Sequence, residues 1–174
     1  MRLPIFILLV MCLGCSKEDD FKPVYDVPPA LQPFIDAFIR EAAARGETIE
    51  VKNLVIQEDN TLPDQYCGQC NSASLDANIQ KIISISPDFE CWFSDPEKET
   101  FFFHELGHCV LGRLHEVSLL PNGDPKSLMV QSNLTVYGPC LYPIDDKPCD
   151  NGFKRPYYLD ELFDPTTPVP VWGQ

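Results

Sequence analysis

Positive charge and histidine are scarce in this chain. Its 174 residues carry 13 Lys+Arg against 26 Asp+Glu, a formal net charge of −13. A surface so acidic repels a phosphate backbone, which excludes nucleic acid as a partner. Histidine occurs only three times, always between residues 104 and 115. No internal repeat and no low-complexity tract is visible, so repeat arrays and linker-type sequences drop out. The uncharged apolar run from Leu3 to Gly14 falls short of the roughly 20 residues that a membrane-spanning helix needs. Cysteine and proline, by contrast, are plentiful, at 8 and 17. That pairing points to an exported, loop-rich protein. Hydrophobic residues make up 44%, enough to build a core. The length favours one domain. The acidity itself reads as a solubility feature and says little about substrate.

Met1 and Arg2, the short apolar run and the small Gly14 have the form of a secretory signal peptide over residues 1–14. The break at Leu13-Gly14-Cys15 resembles the lipobox of bacterial lipoproteins, with Cys12 standing where leucine is usual. The resemblance implies that Cys15 is lipidated and becomes the first residue. The tail Ser16-Lys17-Glu18-Asp19-Asp20 resembles a surface-export signal found in one group of Gram-negative bacteria. The expected location is therefore the cell envelope, anchored in the outer membrane through an N-terminal lipid, with surface exposure suggested by the tail. Residues 15–29 would be the tether and 30–174 the working domain. Processing leaves Cys67, Cys70, Cys91, Cys109, Cys140 and Cys149, an even set that suggests disulfides of open connectivity.

Leu31, Phe34, Ile35, Phe38, Ile39 and Ala42 recur at helical spacing, so a helix is expected there, ending near Gly46. Ile49–Gln57 and Ile79–Ser86 are rich in branched apolar residues and read as strands, the second closed by Pro87. Thr61–Ser74 between them reads as a loop carrying Cys67-Gly68-Gln69-Cys70. Those two cysteines are expected in structural disulfides, with each other or with other cysteines, rather than in a redox motif. Cys140 and Cys149 bracket a proline-rich loop and are expected to pair. Ser94-Asp95-Pro96-Glu97 offers a capping residue, an early proline and an acid three residues after the cap, the start of a helix running to about Leu111. The rest is irregular, with one short helix at Tyr157–Phe163.

Residues 104–115 read His-Glu-Leu-Gly-His-Cys-Val-Leu-Gly-Arg-Leu-His. On a helix, His104 and His108 project from one face, one turn apart, where two imidazoles can share a Zn²⁺ ion. Phe102, Phe103, Leu106, Cys109 and Val110 fall on the opposite side, giving a greasy back. Cys109 is thus expected as a structural partner or inert thiol. If the helix continued, His115 would lie roughly 10 Å further along the axis, beyond reach of the same ion. A left-handed turn at Gly112 removes that problem and makes His115 a candidate third ligand.

The segment resembles the metzincin clan of zinc metallopeptidases, whose signature is H-E-x-x-H-x-x-G-x-x-H with a downstream Met-turn. The match is carried by His104, Glu105, His108, Gly112 and His115, with Ser127-Leu128-Met129 similar to the Ser-x-Met of the Met-turn. The chain departs in placing three residues, not two, between His108 and Gly112. The helix must therefore run one residue longer before turning. The tyrosine that some clan members carry two residues after the methionine is Gln131 here, with Tyr137 a loose substitute. The order helix, strand, strand, motif helix is also similar to the clan's N-terminal subdomain.

The resemblance implies a small α+β, zincin-like fold: a small mixed sheet, an N-terminal helix, an active-site helix and an irregular C-terminal part with a short helix. It implies one Zn²⁺ held by His104, His108 and His115, Glu105 as general base, Met129 supporting the metal site from beneath, and a peptide or protein substrate. A monomer is expected. Three imidazoles leave a fourth position for water, whose pKa zinc lowers to about 7. Glu105 would take its proton. The strand Ile79–Ser86 would border the cleft and pair with an extended substrate. Two alternatives stand beside this one. Glu116 or Glu161 could replace His115 as an acidic third ligand, or the chain could be a non-catalytic surface lipoprotein keeping the fold for binding or structure.

Overall fold

Phe34, Ile35, Phe38 and Ala42 line the inner face of α1, Gln32–Ala44, as their spacing requires. The helix closes with Gly46 in the left-handed region at φ 83°, Glu47 N donating to Ala42 O and Gly46 N to Ala43 O. That is the Schellman arrangement, which satisfies the last free carbonyls. The computed structural model describes residues 22–73, 75–76, 78–87, 94–131, 136–138 and 150–174. The expectations for the signal segment 1–14, Cys15, Cys91, Cys140 and Cys149 lie outside the described residues.

The chain is mixed α+β, with three α-helices and one three-stranded sheet among the described residues. β1 is Leu54–Glu58, β2 Gly68–Cys70 and β3 Lys81–Ile85, in the order β1-β3-β2. β1 runs parallel to β3 with Leu54 opposite Lys81, and β2 runs antiparallel to it with Gln69 opposite Ser84. β1 starts later than Ile49 because its partner strand only begins opposite Leu54. Asp26, in the segment expected as tether, bridges the outer side of β1 through its backbone to Leu54 and Ile56. The stretch Thr61–Ser74 is not all loop, since Gly68–Cys70 forms an edge strand too short and too glycine-rich to show alternation. β3 cannot pair with a substrate, because it is the central strand and both its edges are taken.

α2, Asp95–Cys109, carries the expected cap: Ser94 Oγ accepts from Glu97 N and donates to Glu97 Oε2. Its back is the core. Phe102, Phe103, Leu106 and Cys109 are fully buried, with Phe34 stacked on Phe102 and Phe38 edge-on to Phe103 at 5.3 Å. α3, Arg155–Phe163, adds Tyr158, Leu159 and Leu162 to the same cluster. Arg155 bridges Glu41 of α1 and Glu99 of α2, each at 2.7 Å, so one guanidinium ties three helices.

β2 is fastened to α2 covalently. Cys70 and Cys109 form a disulfide across 39 residues of chain. The Cys67-x-x-Cys70 pair is therefore not bridged within itself. Cys67 is also disulfide-bonded. Closing a loop of this size restricts the unfolded chain, so the Cys70→Ala/Cys109→Ala variant should lose about 2–4 kcal/mol in urea unfolding. An unchanged midpoint at unchanged slope would mean that the bridge contributes nothing to stability.

Candidate metal centre

His104 and His108 leave one half-buried face of α2 one turn apart, with Nε2 atoms 3.1 Å from each other. The third imidazole arrives by a reversal of the chain. Gly112 adopts φ 64°, a conformation costly to residues with a Cβ. The extra residue before it is absorbed by widening the last turn. Val110 N and Leu111 N both donate to Leu106 O, and Arg113 N reaches back to Gly107 O. At the end of α1 the corresponding closing bond, Glu47 N to Ala42 O, spans one residue fewer. His115 then comes to lie 4.7 Å from His108 and 5.4 Å from His104, ring centre to ring centre. One ligand atom from each of the three lies within 4.8 Å of the others, close enough to hold one metal ion.

The hydrogen bonds decide which nitrogens are free. His104 Nδ1 meets Leu128 O at 2.9 Å and His108 Nδ1 meets Arg113 O at 2.6 Å. A carbonyl can only accept, so both Nδ1 atoms must carry the proton and donate. The two Nε2 atoms are then bare lone pairs facing each other at 3.1 Å. Burial pushes the His104 imidazolium down to about 4, with smaller contributions from His108 and His115, against the bond to Leu128. His108 is lowered by burial too, and by His115. Near neutral pH both rings stay uncharged, and their opposed lone pairs repel unless a cation lies between them. The donor set fits a metal ion.

Glu105 is buried beside this cluster, its Oε2 accepting from Cys70 N at 2.6 Å. Burial raises its carboxyl to about 7, with the Cys70 N–H pulling the other way. On the other side of α2, Met129 is fully buried against Gly107, where a Cβ would sit 2.5 Å from the Met129 sulfur. Met129 N is held by Ser127 Oγ at 3.0 Å, and Met129 O accepts from Glu116 N at 2.9 Å, so this turn braces the stretch after His115.

Neither acidic alternative reaches the cluster. Glu116 Oε1 accepts from Ser118 N, and Glu161 is held by Arg113 and Ser127. Tyr137 is buried and donates to Glu99, in the first half of α2, and plays no part here. Among the described residues the three histidines are the one group of three metal-ligating side chains close enough to share an ion. What sequence reasoning missed are the carbonyls of Leu128 and Arg113 and the N–H of Cys70. Backbone groups leave no mark in composition, and only the fold brings them in. Compared with protein-family models, with curated proteins and with solved structures, the chain finds no match.

The Gly107–Met129 contact leaves no room for even one methyl group. Gly107→Ala should cost about 1–3 kcal/mol in urea unfolding. Met129→Ala should cost less in this background than it does alone, because the shorter side chain relieves the clash with the added methyl group. Full additivity in this double-mutant cycle would show that Met129 does not press on Gly107.

Proposed function

We propose that the chain is a zinc-dependent peptidase of metzincin type, lipid-anchored through Cys15 at the cell envelope. The observation that carries this is the convergence of His104, His108 and His115 beside a buried carboxylate, Glu105. Three imidazoles at an open site, with no acidic or thiolate ligand, suit zinc. Zinc bound there supplies Lewis acidity and lowers the pKa of water to about 7. The chain's own residues do the rest. His104 and His108 present Nε2 because Leu128 O and Arg113 O hold their Nδ1 protons. Glu105, immobilised by the Cys70 N–H, takes the proton of the attacking water and returns it to the leaving amine. A carboxyl raised by burial toward neutral pH is well matched to both transfers.

Substrate would lie along β2, the edge strand, and not along β3. The bonds Ser86 N to Cys67 O and Asn71 N to Ile82 O point residues 67 and 71 at β3. By alternation Gly68 turns both its backbone groups outward and Cys70 its carbonyl, the Cys70 N–H being taken by Glu105, so an extended peptide can add a strand there through Gly68 and the Cys70 carbonyl. The fold would then be zincin-like, with Met129 as the floor of the metal site.

Glu105→Ala tests this directly. Hydrolysis of an unstructured protein substrate should fall at least about 10²-fold, the usual worth of a general base. Zinc content should stay near that of the parent, because Glu105 is not a ligand. Unimpaired hydrolysis in the variant would refute the mechanism. A parent that binds zinc and cleaves nothing would leave a non-catalytic zinc lipoprotein.

A further inference from the structure

Glu161 is the most enclosed acid among the described residues, 1% exposed, and it lies on α3, away from the histidines in sequence. Its carboxylate holds two partners. Oε1 pairs with Arg113 Nη2 at 2.7 Å, and Oε2 accepts from Ser127 Oγ. Arg113 is further clamped by the main chain of α3, its Nη1 donating to Glu161 O at 2.8 Å and Leu162 O at 2.7 Å. Ser127 in turn accepts from Met129 N at 3.0 Å. Each partner belongs to a segment that supplies one imidazole-orienting carbonyl. Arg113 O receives the Nδ1 proton of His108, and Leu128 O, between Ser127 and Met129, receives that of His104.

We propose that Glu161 is a positioning residue of the metal centre: its two carboxylate oxygens clamp Arg113 and Ser127, and so fix the carbonyls that aim His108 and His104 at one ion. The inference rests on the metal-site reading above and adds to it a residue that touches neither ion nor substrate. A buried acid and arginine need not be there for stability, since such pairs lose on desolvation much of what they gain by attraction. What the pair supplies is a fixed geometry. The guanidinium is a rigid fork, and here three of its contacts fall on α3 while its own carbonyl faces the metal site. Ser127 provides the same service to the opposite wall. One carboxylate thereby sets the separation of the two walls. Outer partners of ligating histidines typically change metal affinity by about 10- to 100-fold when removed.

The test uses two milder variants, because Glu161→Ala would leave both Arg113 Nη2 and Ser127 Oγ in the interior without the acceptor they now share and open a cavity beside them. Glu161→Gln keeps the shape and removes the charge. Ser127→Ala cuts only the arm to Met129 and Leu128. Zinc affinity is measured by competition with a chromophoric chelator, and the visible absorption of the Co²⁺-loaded chain reports ligand geometry. The thermal midpoint in chelator reports the metal-free fold. Both variants should bind zinc about 10-fold or more weakly than the parent, with an altered Co²⁺ spectrum. A purely structural Glu161 would move only the metal-free midpoint. Affinities within about threefold of the parent, with an unchanged Co²⁺ spectrum, would overturn the proposal. A parent that binds no zinc would overturn the metal-site reading and this inference with it. A parent that binds zinc but hydrolyses nothing would sink only the peptidase reading, and the two affinities would still decide the role of Glu161.

Discussion

Everything at the candidate site depends on stopping α2 and turning the chain back at Gly112. Two histidines on a helix are one turn apart whatever follows them. A third can join only if the backbone reverses within a few residues, and here it does so at φ 64°. The reversal costs little because glycine has no Cβ. The added residue between His108 and Gly112 costs little as well, since Leu106 O and Gly107 O accept the displaced N–H groups through a wider last turn. Without that accommodation His115 would point along the helix axis and the other two imidazoles would face each other alone.

Around the turn, two other fastenings set the geometry from opposite sides. The Cys70–Cys109 disulfide pins the edge strand to the back of α2, which delivers the Cys70 N–H to Glu105. Met129, wedged against Gly107, and the Arg113–Glu161–Ser127 contacts pin the C-terminal half. The electrostatics then follow from burial. Desolvation holds His104 neutral and raises Glu105, so the site presents lone pairs and a proton-ready carboxyl rather than fixed charges. Such a site gains most by taking up a cation.

Much of this was legible in the sequence, and the reasons are local ones. The apolar stripe of α1, the Ser94 cap, the greasy back of α2 and the three clustered histidines are all short-range patterns, and each reappears in the structure. Gly112 was legible because only one geometry lets His115 reach its neighbours. What was not legible is long-range. β2 has three residues and no alternation, so its pairing with β3 had no signal. That error misassigned the free edge of the sheet. Glu161 stood out only as a rival ligand, because nothing in sequence announces that Arg113, 48 residues earlier, neutralises it. The carbonyls of Leu128 and Arg113 are invisible in the same way, being main-chain groups placed by tertiary contact.

The central claim is that three imidazoles, and not two with an acid, hold one metal ion. The most direct measurement is bound zinc per chain for residues 22–174, taken beside the His115→Ala variant. The convergence of His104, His108 and His115 predicts about one zinc in the parent and a large loss in the variant. A variant that keeps its zinc, or a parent that holds none, would contradict it.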